Sequence, residues 1–456
     1  MPADLQASEA ARFLAKHPEI QGIDVLIPDL SGILRGKRLA RETLPKLYSE
    51  GIRMPGGVFA LEATGDSVVE SGLIWDEGEQ DRICRAVPGT LVPMPWSERP
   101  LGQVLATMTD HDGSPFYGDS RAILAGVLER FERDGLKPCI AIELEFYLLD
   151  REPDGDGRPQ PPVSPITGRR DRKVQVLTLT DLSDYEHIFA AIDSGAALQS
   201  LPIEGTIKEA APAQYEANLR YCENANAAVD QGLMLKRLVK GVAERHGMAA
   251  TFMAKPYPDH AGSGLHIHVS LLDREGRNLF DDGGELGTEA LRHAVAGVLA
   301  TMRDAQAIFA PNANSYRRFQ ESTYAPTAPL WGYNNRTTAI RIPAGPGKAR
   351  RIEHRVAGAD ANVHLVAAAV LAGIHHGLGQ RLDPGAPVEG NGYAVAAEPL
   401  PRDWADALKT FDGSAFIAEY FGARFQRLYS AVRNAERRRF DAVVTPTEHD
   451  WYLRAV

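Results

Sequence analysis

The sequence predicts an α+β protein built from two unequal domains, and three observations lead to this prediction. Residues 1–115 carry short β-prone runs separated by many glycines and prolines, which is typical of a small strand-rich domain. Asp119 precedes a helical pattern that runs to Arg133, as expected of an N-cap residue. From that helix onward, helical and strand-like segments alternate. We therefore place the domain boundary near residue 115, with a second domain over residues 116–456.

The elements of the first domain follow in chain order. Residues 7–18 have a helical pattern, and residues 23–29 are strand-like and end in a turn at Ser31 and Gly32. Residues 33–39 can return as the hairpin partner of that strand. These patterns predict a helix followed by a small sheet.

In the second domain, residues 139–149 form an apolar strand, and residues 151–170 are a polar loop rich in proline and glycine. Helices are predicted over residues 184–199, 221–246, 289–309, 362–377 and 415–435.

The composition is that of an ordinary globular protein, with 44% hydrophobic and 24% charged residues in 456. The 60 acidic residues outnumber the 50 basic ones, which disfavours a nucleic-acid partner. Three separated cysteines without a CxxC motif argue against a disulfide framework or a structural zinc site. Because no apolar run approaches the roughly 20 residues that span a bilayer, we expect a cytoplasmic protein without membrane partners.

The first candidate cluster lies within the apolar strand. Glu143 and Glu145 are two residues apart, so their side chains project from the same face of the strand. Buried carboxylates are costly unless they are paired or bound to metal, so the pair predicts cation ligands. The alternative is an exposed edge strand with a solvated face.

Two further acidic or imidazole-bearing segments are weaker signals. His266 and His268 alternate with apolar residues after a Gly-Ser-Gly run, so they share a face, although half-buried histidines without a ligand are an equal alternative. Glu204, Glu209 and Glu216 lie in a segment interrupted by proline and glycine. Taken alone, that segment is better interpreted as a solvated loop.

A basic cluster follows in residues 334–355. Arg341, Arg351 and Arg355 lie in apolar or β-like stretches, and arginine side chains suit phosphate and carboxylate groups. The alternative is a solvated basic face at a helix end. Together, the clusters indicate metal-binding carboxylates beside anion-binding arginines, which suits ATP-dependent activation of an acid. No GxxxxGK[ST] motif is present, which excludes a P-loop.

The order of these motifs resembles the glutamine synthetase superfamily. The matching pieces are Glu-x-Glu, Gln-x-Glu, KPYPDHAGSGLHIHVSL, NSYRRF, NNRTTAIRIP and ARRIEHRVAGADAN. Within the superfamily the chain looks most similar to the γ-glutamylputrescine (γ-glutamylpolyamine) synthetases. The resemblance implies an N-terminal β-grasp domain and a large catalytic α/β domain whose active site lies on an antiparallel sheet. It also implies a homo-oligomer, expected to be a dodecamer of two hexameric rings with sites between subunits.

The resemblance implies a role for each matching residue. One metal ion would be bound by Glu145, Glu209 and Glu216, and the second by Glu143, His266 and Glu353. The nucleotide would contact Glu204, His268, Ser270, Arg341, Lys348 and Arg351. Glutamate or the transferring phosphoryl group would contact Gly262, Arg318, Arg336 and Arg355. The implied cofactors are ATP and Mg²⁺ or Mn²⁺, which prefer hard oxygen ligands.

Two departures from the family concern the amine. Tyr324 stands where glutamine synthetases proper carry an acid in the flap. Those enzymes carry a second acid, the aspartate of a Phe-Asp-Gly-Ser-Ser run, and the nearest match here, residues 59–63, has alanine at that place. We expect a ligase that joins L-glutamate to a primary amine, with putrescine or another polyamine as the first candidate. Tyr324 would pack on the amine, and Glu62, Asp66 or Glu321 would serve its proton or its distal ammonium. The alternatives are glutamine synthetase itself, a γ-glutamyl-monoamine ligase, and a catalytically silent structural member.

Overall fold

The structure is a computed structural model that describes residues 3–456, with side chains from residue 9 onward. The chain first forms a small sheet with two helices. In chain order these elements are α1 (Ala3–Lys16), β1 (Gly22–Pro28), β2 (Leu34–Ala40), α2 (Leu44–Ser49), β3 (Ile52–Pro55), β4 (Asp81–Ala86), β5 (Val92–Pro93) and β6 (Leu101–Thr109).

The predicted hairpin is confirmed at one edge of this sheet. The strand order is β2-β1-β6-β4-β3, with β5 paired to β6, and β1 is antiparallel to β2 and parallel to β6. The turn forms because the Asp29 carboxylate accepts the backbone N–H groups of Ser31 at 2.8 Å and Ile33 at 2.9 Å. Every residue of β1 is buried, so this strand lies at the centre of the small core.

A second, larger sheet occupies the rest of the chain. Its elements are α3 (Ser120–Arg133), β7 (Lys137–Asp150), α4 (Leu179–Asp184), α5 (Glu186–Leu198), β8 (Ile203–Lys208), β9 (Gln214–Leu219), α6 (Ala225–Arg245), β10 (Met248–Thr251), β11 (Leu265–Leu272), α7 (Glu289–Thr301), α8 (Gln306–Phe309), β12 (Trp331–Tyr333), β13 (Ile340–Ile342), β14 (Ile352–His354), α9 (Val363–Gln380), α10 (Trp404–Asp412), α11 (Ala415–Phe421), α12 (Ala423–Asp441) and α13 (Pro446–Tyr452).

This larger sheet has the antiparallel character that the resemblance implies. Its order is β12-β13-β14-β11-β7-β9-β8, with β10 paired to the far end of β7, and only β12 and β13 pair in parallel. The long strand β7 is therefore central, and the edge-strand alternative for its two glutamates is wrong. The predicted α+β fold is confirmed.

Helices cover the sheet and form the main core. α9 is buried along most of its length and packs against α3 and α7. Its contact with α7 depends on glycine, because a Cβ on Gly297 would lie 2.1 Å from the carbonyl oxygen of Gly373. Asp119 caps α3 as predicted, accepting the N–H of Arg121 at 2.9 Å, and it also accepts the N–H of Met108 at 2.8 Å. The cap thus fixes α3 against β6.

Some local predictions differ from the structure. The helix expected over 289–309 is divided into α7 and α8, and the one expected over 415–435 is broken at Gly422, whose φ is +88°. The segment interpreted as a solvated loop instead forms β8 and β9, and β9 is almost entirely buried because it pairs with the central strand β7. The two sheets lie on either side of residue 115, but the domain division itself stays a prediction. Among residues 3–456, no helix is long and apolar enough to cross a membrane.

Candidate active site

Strand register brings the predicted carboxylates and imidazoles together on one face of the larger sheet. Glu143 on β7 is the cross-strand partner of His266 on β11, and His268 is the partner of Glu353 on β14. His266 Nδ1 lies 3.2 Å from Glu143 Oε2, and His268 Nε2 lies 2.8 Å from Glu143 Oε1. The period of two along a strand therefore gives Glu143 one imidazole at each carboxylate oxygen.

The strand β9, which pairs with β7 along its other edge, adds to the cluster. Glu145 is the cross-strand partner of Glu216 on β9. One oxygen of Glu145 accepts the backbone N–H of Gly264 at 2.8 Å, and the other lies 3.8 Å from His266 Nε2. Asn218 donates to the Glu216 carboxylate at 3.1 Å. The strands β7, β9 and β11 thus contribute three carboxylates and two imidazoles to a single patch.

Two subsets of these side chains have the geometry of metal sites. The ligand atoms of Glu143, His268 and Glu353 lie within 4.8 Å of one another, and so do those of Glu143, Glu216 and His266. Oxygen and imidazole donors in such groups fit a divalent cation. The sequence-based assignment had paired His266 with Glu353 and Glu216 with Glu145. The ligand set stays a prediction. The two groups share Glu143, one of them includes His268, which the resemblance assigned to the nucleotide, and neither includes Glu145 or Glu209.

Charge crowding makes parts of the cluster hard to ionise. Burial, reinforced by the neighbouring Glu143, Glu145 and Glu209 carboxylates, raises the pKa of Glu216 to about 9. Burial and the charge of Glu145 raise the pKa of Glu209 to about 7. Burial also acts to raise the pKa of Glu143, but hydrogen bonds from the two imidazoles outweigh it and lower that pKa. A bound cation would offset the repulsion between these carboxylates and let them ionise.

Arginines flank this cluster on the β13–β14 side. Arg341 Nη1 donates to Glu353 at 2.7 Å, and Arg355 also donates to Glu353. Burial acts to raise the pKa of Glu353, but the Arg355 charge and its neighbours lower it to about 2. The Nε atoms of Arg341 and Arg355 are buried without a hydrogen-bond partner in the described part of the chain. Each of these two guanidinium groups therefore has one N–H donor that the described protein groups leave unused.

Arg318 lies across the glycine-rich run that precedes β11. Its guanidinium donates to the carbonyl oxygens of Val356 at 2.8 Å and Arg355 at 3.3 Å, and only 5% of the residue is exposed. A Cβ on Gly262 would lie 2.7 Å from Arg318 Cγ, and one on Gly264 would lie 2.8 Å from its Nη2. Both glycines are needed because the arginine passes directly over the backbone.

Arg336 is exposed and lies near Glu209. The positive charge of Arg336 lowers the pKa of Glu209 slightly, but burial raises that pKa by more. The Glu209 backbone carbonyl accepts a hydrogen bond from Lys208, whose ammonium is buried. Burial lowers the pKa of that lysine. Arg336 is thus a solvent-accessible cation beside one carboxylate of the predicted metal site.

The predicted nucleotide contacts are partly assembled. Arg351 Nε donates to His268 Nδ1 at 3.1 Å, so this arginine extends the cluster from β14. Ser270 donates to the carbonyl oxygen of Arg350 at 3.0 Å, and Lys348 is exposed in the preceding short 3-10 turn. Arg341 and Arg351 thus contact the cluster, and Lys348 lies three residues before Arg351; we call these three residues the basic edge.

Glu204 lies apart from that edge, on β8. It is exposed and lines a cavity of about 680 Å³ between β8, α4 and α5. The cavity walls include Leu179, Leu182 and Phe189. The structure therefore brings Glu204 to an open, partly apolar cavity next to the strand pair that carries Glu209 and Glu216.

The predicted amine-side acids are elsewhere within this chain. Glu62 is 3% exposed, and its carboxylate accepts hydrogen bonds from Thr64 at 2.7 Å and from Arg439 on α12. Asp66 also accepts from Arg439. Among residues 9–456, Glu62 and Asp66 make no hydrogen bond or ion pair with the carboxylate cluster of the same chain. Their role with the amine stays a prediction that requires a neighbouring subunit.

Tyr324 and Glu321 lie in the loop that corresponds to the flap. Tyr324 is 63% exposed and has a φ of +58°, and Ser322 has a φ of +63°. Glu321 is exposed at the start of the same turn. The sequence reasoning missed Tyr393, which contacts this loop from a segment that carries no periodic pattern and no motif.

Comparisons with known proteins agree with this geometry. A family model for the catalytic domain of glutamine synthetase matches residues 117–452. The chain is 44% identical to gamma-glutamylputrescine synthetase PuuA of Escherichia coli, over 98% of this chain and 94% of that protein. It is 33% identical to gamma-glutamylethanolamide synthetase GlnA4 of Streptomyces coelicolor, over 98% and 94%. A solved GmaS–ADP complex superimposes with a TM-score of 0.84 at 27% identity, covering 98% of this chain and 99% of that one.

Proposed function

The chain belongs to the glutamine synthetase family, as its motifs indicated, and we propose that it is an ATP-dependent ligase that joins the γ-carboxylate of L-glutamate to a primary amine. One observation carries the choice of amine: the carboxylate and arginine machinery is complete, while the flap offers the exposed ring of Tyr324 instead of an acid. Relatives named for putrescine and ethanolamide products support the same choice. Putrescine or another polyamine is the proposed substrate.

The residues fit a reaction through a γ-glutamyl phosphate. A carboxylate is a poor acylating agent, so its oxygen must first take the γ-phosphoryl group of ATP and become a good leaving group. Arg318 and Arg355, both buried, would bind glutamate, and Arg336 would neutralise the transferring phosphoryl group. The amine then attacks the activated carbonyl, and phosphate leaves.

Divalent metals fit the carboxylate cluster because its buried, like-charged groups need a compensating cation. Family members generally use ATP and divalent metals. We assign Mg²⁺ or Mn²⁺ to Glu143, Glu145, Glu209, Glu216, His266 and Glu353. When bound, such ions neutralise phosphate oxygens and position them for in-line transfer.

The nucleotide is assigned to the basic edge formed by Arg341, Lys348 and Arg351, together with His268, Ser270 and Glu204. The amine is assigned to Tyr324, with Glu62, Asp66 or Glu321 as the group that takes its proton. Because Glu62 and Asp66 lie away from the cluster of their own chain, we propose that they act across subunits. The proposed assembly is a dodecamer of two hexameric rings in the cytoplasm, and the proposed division is a β-grasp domain over 1–115 and a catalytic domain over 116–456.

The test is phosphate release from ATP and L-glutamate with a panel of ammonium, ethanolamine, putrescine, cadaverine and spermidine at equal concentrations. We expect putrescine or a longer polyamine to give the highest kcat/KM and the γ-glutamyl amide to be detected by mass spectrometry. Glu216→Gln, purified in the same way, should give no amine-dependent phosphate and excludes contaminating enzymes. Ammonium as the best substrate would identify a glutamine synthetase, and no turnover with any amine would identify a silent member.

A further inference from the structure

Residues 388–393, which we call the strap, cross beside the segment that carries Arg336. The Asn335 side chain donates to two strap carbonyl oxygens at 3.1 and 2.8 Å. The Thr337 hydroxyl accepts a strap backbone N–H at 2.8 Å. Since Asn335 and Thr337 flank Arg336, one side of the strap is fixed to the predicted phosphoryl-binding arginine.

The other side of the strap reaches the flap through one hydroxyl group. Tyr393 Oη donates to the carbonyl oxygen of Ala325 at 3.1 Å, and it accepts the backbone N–H of Tyr324. A single phenol oxygen thus contacts one backbone donor and one backbone acceptor of the flap, the N–H of Tyr324 and the C=O of Ala325. The strap therefore connects Arg336 to the residue that we assign to the amine.

The flap needs such a contact because its backbone is strained. Ser322 and Tyr324 both have left-handed φ values, which are unfavourable for residues other than glycine. The Tyr324 ring is exposed and cannot hold its own backbone by packing. Within the turn, the Thr323 hydroxyl donates to the carbonyl oxygen of Gln320 at 2.7 Å, and Tyr393 contacts the following backbone at Tyr324 and Ala325. Removing the phenol hydroxyl would let this turn relax.

The Tyr393 ring also lies beside the two predicted glutamate-binding arginines. Burial raises the pKa of Tyr393, and the charges of Arg318 and Arg355 lower it by less. The phenol consequently keeps its proton at neutral pH and remains a donor to the flap. Tyr393 therefore lies between the flap and the two arginines that we assign to glutamate.

We propose that Tyr393 is a positioning residue that latches the flap over the Arg318–Arg355 pair, so that the flap admits the amine and keeps water from the activated glutamate. This inference rests on the proposed function. Without the latch, water competes with the amine. Its oxygen bonds to the γ-carbon, the carbon–oxygen bond to phosphate breaks, and glutamate and phosphate are released with no amide formed.

The test is Tyr393→Phe, which removes one oxygen and keeps the ring. Losing one hydrogen bond of this kind corresponds to about a five- to tenfold effect. We expect the KM for putrescine to rise by that factor, while the KM for glutamate stays within about twofold of wild type. Amine-independent phosphate release should increase, and amide hydrogen exchange in residues 320–327 should become faster.

Tyr429→Phe is the matched control, because its hydroxyl donates to the backbone carbonyl of Ala307 at 2.8 Å in the distant α8–α12 contact. It should leave the putrescine KM and flap exchange unchanged. Unchanged flap exchange in Tyr393→Phe would overturn the latch, and so would an unchanged putrescine KM in an enzyme that uses putrescine. If wild type uses no amine, the proposed function fails, while faster flap exchange still supports the latch.

Discussion

The two ends of the candidate site are built in different ways. At the metal end, carboxylates and imidazoles project from paired strands, and backbone register determines which of them meet. At the amine end, Tyr324 lies on a turn with left-handed residues, and Glu62 lies in a different sheet-containing region. A register is fixed by many ladder hydrogen bonds, whereas the flap depends on a few. The difference suggests that shared chemistry belongs to the sheet and amine choice to the loops.

The largest expected effect lies at the metal end. Glu143→Gln removes charge from the carboxylate that both metal-site groups share, while it keeps nearly the same volume. We expect kcat/KM to fall by about 10³-fold with every amine, as for loss of a central electrostatic contact in a buried site. Steady-state kinetics across the amine panel measures it.

Glu132→Gln on the exposed face of α3 is the control for that change and should retain wild-type kinetics. If Glu143→Gln lowered kcat/KM for one amine only, amine choice would depend on the sheet, and the contrast between the two ends of the site would be wrong. Thermal unfolding of the metal-free variant should show that the fold is kept.

The pH dependence of metal binding tests the same end. Burial and like charges raise the pKa values of Glu209 and Glu216 to about 7 and 9, so in the metal-free site both hold protons that a cation must displace. We expect Mg²⁺ affinity to rise by about 10- to 100-fold from pH 7 to pH 9. Calorimetric titration in buffers of different ionisation enthalpy would measure the protons released.

The stability of the metal-free protein should change in the opposite direction. Because folding raises both pKa values, their stabilising contribution is complete below the unfolded value near 4.5 and is lost as pH rises through about 7 and about 9. In Glu216→Gln the loss of stability near pH 9 should disappear, and Mg²⁺ affinity should vary less with pH. A wild-type affinity that does not vary with pH would contradict this account.

The amine end should respond selectively to Tyr324→Glu. A carboxylate in this exposed position attracts a small ammonium ion by about 1 kcal/mol, equivalent to roughly a five- to tenfold change. We expect the ratio of kcat/KM for ammonium over putrescine to rise by that factor, with kcat/KM for glutamate changed little. Tyr324→Gln separates the new charge from the lost ring, and an equal shift in both variants would rule out the electrostatic explanation.

The same contrast explains which parts of the site could be predicted from the sequence. Glu143, Glu145, His266 and His268 were identified because a period of two places them on common faces. Their pairing could not be predicted, because β7 and β11 are more than 100 residues apart and the register is set only by folding. A local pattern also failed for Glu216, whose strand lies in a segment broken by proline and glycine.

Contacts between loops were even harder to predict from the sequence. Tyr393 belongs to a stretch without periodicity, and its bond to Ala325 joins positions 68 residues apart. The two breaks in predicted helices, at Gly422 and between α7 and α8, likewise depend on packing. The family motifs supplied roles that spacing could not, and those roles belong mainly to the sheet.

The smallest expected effect concerns Glu62, whose charge is partly offset within its own chain. Arg439 contacts both Glu62 and Asp66, so these three groups together carry a net charge of −1 toward a cationic amine. Glu62→Gln makes this sum zero and should raise the putrescine KM by only about threefold, because Asp66 remains. Arg439→Gln makes it −2 and should lower that KM by a similar factor, most clearly at low salt. Opposite shifts in the two variants identify a field that acts on the substrate, whereas shifts in the same direction would mean that the pair only holds the loop in place.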